Sequence, residues 1–259
     1  MGTPAVKELL VRDNVPLGQQ GIDAPCRVLR LETPGWASWR PGQFVMLRPG
    51  AWDNELIWGR PFSICHADAE TLTIFYQVVG RGTRKMADLK PGDSVVTWGP
   101  LGNGFSLGQG AALMLAGGVG LAPFIGASLA HAHPERLRLV FGHRLDLGNY
   151  PWDMLPPAMS AENHHEEKPG DLDAFLARLE QLIREHADQG PVLACGPTPF
   201  LRAVQRMALD CGAQAQLSLE NRMACGVGAC LGCVSEDPDG NRIQICTRGP
   251  VFPATDITL

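Results

Sequence analysis

Four cysteines near the carboxyl end constrain this chain more than any other feature. Cys225, Cys230 and Cys233 are spaced C-x4-C-x2-C within Met223-Ala-Cys-Gly-Val-Gly-Ala-Cys-Leu-Gly-Cys-Val234, and Cys246 follows after twelve more residues. That spacing matches the ligands of a [2Fe–2S] cluster, which takes four thiolates. Wrapping backbone around a cluster turns amides inward, and Gly226, Gly228 and Gly232 stand between the ligands where a Cβ would crowd the wrap. A zinc site or two disulfides are the alternatives. Zinc knuckles show paired two-residue gaps, and only one such gap is present here. An iron–sulfur centre carries single electrons, so the rest of the chain should show where they come from and where they go.

Residues 1 to about 105 read as short apolar runs separated by turn signals such as Pro41-Gly42 and Pro91-Gly92-Asp93. The runs Val6–Val11, Cys26–Leu31, Gln43–Leu47, Phe62–Cys65, Leu72–Val79 and Ser94–Trp98 predict six strands of a small antiparallel barrel. The tryptophans between Trp36 and Trp58 read as rim packing. Two stretches exceed what such a barrel needs. Arg60-Pro61-Phe62-Ser63 opens a strand with a fork-shaped cation suited to phosphate and a hydroxyl suited to a ring nitrogen. Phe75-Tyr76-Gln77 runs into Gly80-Arg-Gly82-Thr83, a turn able to present amides to a pyrophosphate. Either alone is also what an edge strand or an ordinary turn looks like.

Beyond residue 110 strands and helices alternate. The apolar run Ala111–Ala116 leads into Gly117-Gly118-Val-Gly120-Leu-Ala-Pro123 and a helical stretch through Phe124, Ile125, Ser128 and Leu129, which aims a helix start and free amides at a phosphate. Leu137–Phe141 is a second strand. Leu172, Phe175, Leu176, Leu179, Leu182 and Ile183 follow helical spacing, with Asp171 as the expected cap. Pro191–Cys195 is a third strand, ending in Cys195-Gly196-Pro197-Thr198, with Thr198 as cap and Pro199 in the first turn of a helix that stops near Gly212. Gln214–Leu219 is a fourth. These predict a parallel sheet covered by helices, with ligands at the carboxyl ends of strands. Ala161–Gly170, rich in His and Glu, reads as a solvated loop, and His164 with His165 as part of it rather than as a metal site. The expected division is 1–105, 106–215 and 216–259.

Composition narrows the function classes. A formal charge of −5 argues against nucleic acid or an anionic membrane as partner, and no run of eighteen apolar residues occurs. The start, Met1-Gly-Thr-Pro-Ala-Val, lacks the form of a signal peptide, so a cytoplasmic protein is expected. The remaining four of eight cysteines, Cys26, Cys65, Cys195 and Cys211, are scattered; Cys26 and Cys65 lie in apolar runs and read as buried thiols.

A barrel with Arg60-Pro61-x-Ser63, followed by an α/β half with Gly117-Gly118-x-Gly120-x-x-Pro123 and Cys195-Gly196-Pro197, resembles the ferredoxin–NADP reductase superfamily. The stretch from Glu220 through Cys233 and the ending Cys246-Thr-Arg-Gly-Pro-Val-Phe252 are similar to one branch of it, the electron-transfer subunits of two-subunit, NAD-dependent dihydroorotate dehydrogenases. The resemblance implies a flavin-binding barrel, a Rossmann-like nucleotide domain and a small cluster domain. It places FAD against Arg60, Pro61, Phe62, Ser63, Phe75, Tyr76, Gln77, Gly82 and Thr83, and NAD near Gly117, Gly118, Gly120, Cys195, Gly196 and Pro197. It assigns the cluster to Cys225, Cys230, Cys233 and Cys246, and implies an FMN-containing catalytic partner, two copies of each subunit, in pyrimidine biosynthesis. No acid–base residue is needed, and Cys195 reads as a positioning residue because its stretch holds no His. The 161–170 stretch departs from the acidic, glycine-containing segment expected there, while Arg144 and Asp146 point opposite ways on NADP and NAD. The absence of a basic cluster around Arg144 favours NAD. Two rivals remain: a diaphorase-type subunit of a hydrogenase, sulfide-processing or electron-bifurcating complex, and a non-enzymatic iron–sulfur sensor.

Overall fold

The computed structural model describes residues 4–19, 21–52 and 56–259. The barrel half contains β1 (Ala5–Pro16), β2 (Cys26–Glu32), β3 (Phe44–Pro49), β4 (Arg60–Ser63), β5 (His66–Ala67), β6 (Thr71–Gln77), α1 (Arg81–Ala87) and β7 (Ser94–Leu101). Among the described residues these make one curled antiparallel sheet of seven strands, ordered β4-β3-β7-β1-β2-β6-β5. The curl brings β4 back against β6, where Phe62 meets Tyr76 edge to face at 5.9 Å. The expected six strands are all present, and the seventh, β5, is two residues long. The strand expected at Phe62–Cys65 starts earlier, at Arg60, and ends at Ser63. The Gly80–Thr83 turn is the beginning of α1, whose far end is held by the Asn14 amide donating to the Met86 carbonyl at 2.8 Å.

Alternation along β3 decides how the halves join. Val45 and Leu47 point into the barrel core with Leu29, Leu31 and Ile74. Phe44 and Met46 point the other way, into a core shared with the carboxyl-terminal segment and the helices of the second half. A third core, through Cys26, Val28, Cys65 and Phe75, joins β2 and β6 to the first strands of that second half. Cys26 and Cys65 are fully buried, as expected.

The second half contains β8 (Ala112–Gly117), α2 (Ala122–Ala130), β9 (Leu137–His143), β10 (Ser160–His165), α3 (Asp171–His186), β11 (Val192–Cys195), α4 (Thr198–Cys211) and β12 (Ala215–Ser218). The chain then forms β13 (Val234–Glu236), β14 (Arg242–Gln244), α5 (Ile245–Arg248) and β15 (Val251–Pro253). The sheet order is β10-β9-β8-β11-β12-β15, parallel from β10 to β12, with β15 antiparallel on β12. The order reverses between β8 and β11, the switch point where such sheets open a ligand crevice. α2 covers one face; α3 and α4 cover the other through Phe175, Leu179, Ile183, Leu201 and Val204.

Three expectations are corrected. Ser160–His165 is an edge strand, not loop, paired in register with Arg138–His143. Its side chains are half-exposed or exposed throughout, so backbone pairing holds it and no apolar alternation marks it. Asp171 is not the cap of α3: Gly170, at φ +97°, precedes the helix, and the Asp171 carboxylate accepts the amides of Glu167 and Lys168 at 3.0 and 2.8 Å. Likewise Pro197, not Thr198, is the residue preceding α4. Gly212, at φ +71°, ends that helix where expected.

Candidate functional site

The candidate cluster ligands are brought together after β12. Among the thiols, that of Cys225 is influenced most by its Cys230 neighbour and that of Cys246 by its Cys233 neighbour, with a weaker influence of Cys225 on Cys246. Among the described residues no three His, Cys, Asp or Glu side chains converge tightly enough to hold a single metal ion. Four thiolates with backbone amides turned toward their sulfurs are the donor set a two-iron cluster takes. The residues fit the cluster.

The backbone supports the same fit. The amides of Val227 and Cys230 donate to Cys225 Sγ at 3.4 Å, Gly232 N–H to Cys230 Sγ at 3.4 Å, and Cys246 N–H to Cys233 Sγ at 3.4 Å. Burial raises the Cys225 thiol, but the Val227, Cys230 and Ala229 amides and the Cys230 thiol outweigh it and bring it down to about 7. Cys246 moves the other way, to about 12, through burial and then its Cys233 neighbour. Gly226 is required twice over: its φ is +73°, and a Cβ there would sit 2.6 Å from Met46 Cγ on β3. Cys230 is exposed, flanked by exposed Val227 and Leu231.

The barrel wall fastens this loop at both ends. On β7 the Trp98 indole donates to the Cys225 carbonyl at 2.8 Å. Just beyond β7, Asn103 N–H donates to the Gly249 carbonyl at 2.6 Å, three residues past Cys246. Phe44, two residues before Met46 and on the same face of β3, lines a cleft of about 420 Å³ between the halves. One strand face therefore borders both the cleft and the cysteine loop.

The cleft gathers Pro61, Phe62 and Ser63 from β4, Phe75, Tyr76 and Gln77 from β6, and Thr83 from α1, facing Gly120 and Cys195 at the switch point. Its volume is in the range of small-molecule sites. Ser63 and Gln77 present polar groups with no hydrogen-bond partner among the described residues, on walls otherwise apolar, as a ring with a polar edge requires. Gly120 leaves room where any side chain would strike the Cys195 carbonyl. These features fit a flavin with a nicotinamide beside it. Gly117 and Gly196 pack on each other at the switch point with Pro197 alongside, and Gly118 has φ +55°; these four support the cleft rather than line it.

Arg60 and Gly82 also stand outside the lining. Arg60 donates to the carbonyls of Trp58 and Gly59 at 2.7 and 3.2 Å, lies over the buried Trp52 ring at 5.5 Å, and packs on Gly82 at the start of α1. Thr83 Oγ accepts the Val79 and Gly80 amides at 3.0 Å, fixing the turn ahead of α1. Cys195 is buried and its thiol pushed up to about 12 by burial, then by the nearby Glu220 carboxylate, so it is a neutral wall group.

Sequence reasoning missed the cleft's third wall. Ser218, Leu219, Glu220, Asn221 and Met223, with Pro250, come from the chain on either side of the cysteine loop. Glu220 is reached by solvent through the cleft, yet the packed walls raise its carboxyl above the ordinary range. A larger groove of about 660 Å³ near Arg40, Ser106 and Gln216 lies at the amino ends of β11 and β12 and holds none of the candidate residues; parallel sheets of this kind bind at the other end.

A profile of the iron–sulfur cluster binding domain of dihydroorotate dehydrogenase B matches residues 220–258. The structure of the NADH-dependent reduced ferredoxin–NADP oxidoreductase of flavin-based electron bifurcation has a TM-score of 0.78 over 96% of this chain and 89% of that one, at 22% identity. The ferredoxin reductase in carbazole 1,9a-dioxygenase has 0.67 over 81% and 67%, at 19% identity. These two share the fold. Two relatives bear the same name, dihydroorotate dehydrogenase B (NAD(+)), electron transfer subunit. That of Caldanaerobacter subterraneus subsp. tengcongensis is 35% identical over 84% of this chain and 86% of its own length. That of Clostridium acetobutylicum is 32% identical over 90% and 92%. With four cysteines gathered in one loop, a barrel cleft meeting the switch point of the parallel sheet, and this degree of identity over most of both chains, the chain belongs to the family of dihydroorotate dehydrogenase B (NAD(+)) electron transfer subunits.

Proposed function

We infer that the chain carries electrons from a dihydroorotate-oxidising, FMN-containing catalytic subunit to NAD+, in pyrimidine biosynthesis. The observation that carries this reading is the shared wall: on one face of β3, Phe44 borders the cleft and Met46 seats the cysteine loop. When bound, the cluster exchanges single electrons and FAD exchanges either single electrons or a hydride, which joins a one-electron donor to nicotinamide.

The chain's own residues supply position and exclusion. Phe62 and Tyr76 pack edge to face and keep water from one wall of the cleft. Ser63 and Gln77 offer hydrogen bonds to the flavin ring edge, with Pro61 and Phe75 beside them. Arg60, held over Trp52, and the Gly82–Thr83 start of α1 lie where the FAD pyrophosphate is expected. Gly117, Gly118, Gly120, Gly196 and Pro197 let NAD approach the backbone at the switch point, and neutral Cys195 orients the nicotinamide without attacking it. Cys225, Cys230, Cys233 and Cys246 hold the irons. Segments 1–105, 106–215 and 216–259 serve flavin, nucleotide and cluster in turn. Two copies of each subunit assemble in the cytoplasm; among the described residues no helix is long and apolar enough to cross a membrane.

The test is anaerobic. This chain, loaded with FAD and cluster, is combined with the catalytic subunit, dihydroorotate and NAD+, and NADH is followed at its absorbance band. NADH formation that requires this chain is expected. Reduction of the chain by NADH with no NADH from dihydroorotate would remove this partner and keep the fold.

A further inference from the structure

The nucleotide half contains an ion pair that the flavin and cluster do not use. Arg144 is the first residue after β9 and Glu166 the first after β10. His143 and His165 are register partners, and Glu166 N–H continues the ladder by donating to the His143 carbonyl at 2.8 Å. The strand pairing thus places Arg144 and Glu166 side by side. The guanidinium meets both carboxylate oxygens, Nε to Oε2 at 2.9 Å and Nη2 to Oε1 at 3.1 Å. His165 Nε2 lies 3.2 Å from the Arg144 carbonyl and Nδ1 lies 3.3 Å from Glu167, so the backbone beneath the pair is held as well.

In this class of sheet the glycine loop after the first strand takes the pyrophosphate, and a residue about twenty positions on, past the second strand, meets the ribose 2′ position. An acid there accepts the 2′-hydroxyl of NAD; a free arginine there takes the 2′-phosphate of NADP. Arg144 stands at that position after Gly117–Gly120, and it is not free. Its guanidinium is already engaged by the Glu166 carboxylate.

We propose that Glu166 is a specificity-determining residue: it occupies the fork of Arg144 and sets a carboxylate beside the ribose 2′ position, so that NAD(H) is accepted and NADP(H) refused. The inference rests on the reading that NAD binds at the Gly117–Gly120 loop. Two effects add. The arginine edge best suited to a phosphate is already engaged, and an incoming 2′-phosphate meets a second anion. The sequence pattern separates the partners by twenty-two positions, which is why Arg144 read as unaccompanied.

The experiment uses the full chain loaded with FAD and cluster, and reads dissociation constants for NAD+ and NADP+ by titration calorimetry, then kcat/KM with NADH and NADPH and a dye acceptor. Glu166→Gln keeps the size and removes the charge. It is expected to tighten NADP+ by about tenfold, a charge-assisted contact discounted for exposure, with a smaller change for NAD+. The double variant Arg144→Ala/Glu166→Gln is expected to lose that gain. NAD+ binding by the wild type with no NADP+ gain in Glu166→Gln, or a gain that survives loss of Arg144, overturns this role for Glu166 alone. A wild type that binds neither nucleotide overturns the nucleotide reading beneath it.

Discussion

Replacing Gly226 by alanine tests whether the barrel wall holds the cluster loop, and Gly240→Ala supplies the control. The two glycines have nearly the same backbone, φ +73° and +78°, so both substitutions carry the left-handed penalty of about 1–2 kcal/mol. They differ in surroundings. Nothing lies within 4 Å of a Cβ at Gly240, whereas at Gly226 it would sit 2.6 Å from Met46 Cγ and 3.0 Å from Leu101 Cδ1. Met46 is fully buried, so its side chain has nowhere free to move. Overpacking of this sort adds about 1–3 kcal/mol. The difference between the variants, again about 1–3 kcal/mol, corresponds to roughly 5- to 150-fold in an equilibrium for loop opening. The assay is bleaching of the cluster's visible absorbance under an iron chelator, with bound iron counted before and after. Gly226→Ala should lose iron faster than Gly240→Ala by a factor in that range. Equal rates would refute the reasoning, because the strain common to both would then be the whole effect and Met46 would not be bearing on the loop.

Trp98→Phe removes the 2.8 Å hydrogen bond to the Cys225 carbonyl and should cost about 1 kcal/mol, with a shifted electron-paramagnetic spectrum of the reduced cluster as the readout. Cys230→Ser should leave FAD bound, counted by its absorbance after extraction, and abolish electron flow to the partner. Arg60→Ala should lower FAD occupancy and quench less of the Trp52 environment, since both depend on the same guanidinium. Burial pushes the Cys65 and Cys195 thiols up to about 12 from an ordinary value near 9. Their contribution to stability is therefore complete below pH 9 and is lost as pH rises toward 12, because the unfolded thiols release protons first. Thermal melts should fall over that alkaline window, and Cys65→Ala should make the fall shallower.

The parts of this architecture legible from residues alone are those fixed by covalent spacing or by a long period. The thiol quartet is written in four positions, and α3 in the recurrence of Phe175, Leu179, Leu182 and Ile183. What escaped was governed by tertiary contacts. β10 is polar on both faces and exists because β9 offers it a ladder. Asp171 has the chemistry of a cap, yet the left-handed bend at Gly170 placed its carboxylate on the preceding turn instead. The third wall of the cleft joins Phe44 to Met223 and Pro250, residues whose meeting depends on how three segments pack and on no local pattern. Likewise Arg60 was legible as a special arginine, but its seat over Trp52 was not.

The antiparallel return of β15 gives the cysteine segment a single point of departure and return on the nucleotide sheet. Ser218 and Val251 are register partners, so the chain leaves the nucleotide sheet and re-enters it at neighbouring points, about 5 Å apart in such a pair. Everything between them is a detour whose ends already meet. A tight turn joining Ser218 to Val251 would close the sheet with the same neighbours it has now. In modular terms, the one-electron port is plugged in at a single hairpin position, yet Glu220, Met223 and Pro250 also close the cleft, so exchanging the port would remake a wall of the cleft as well.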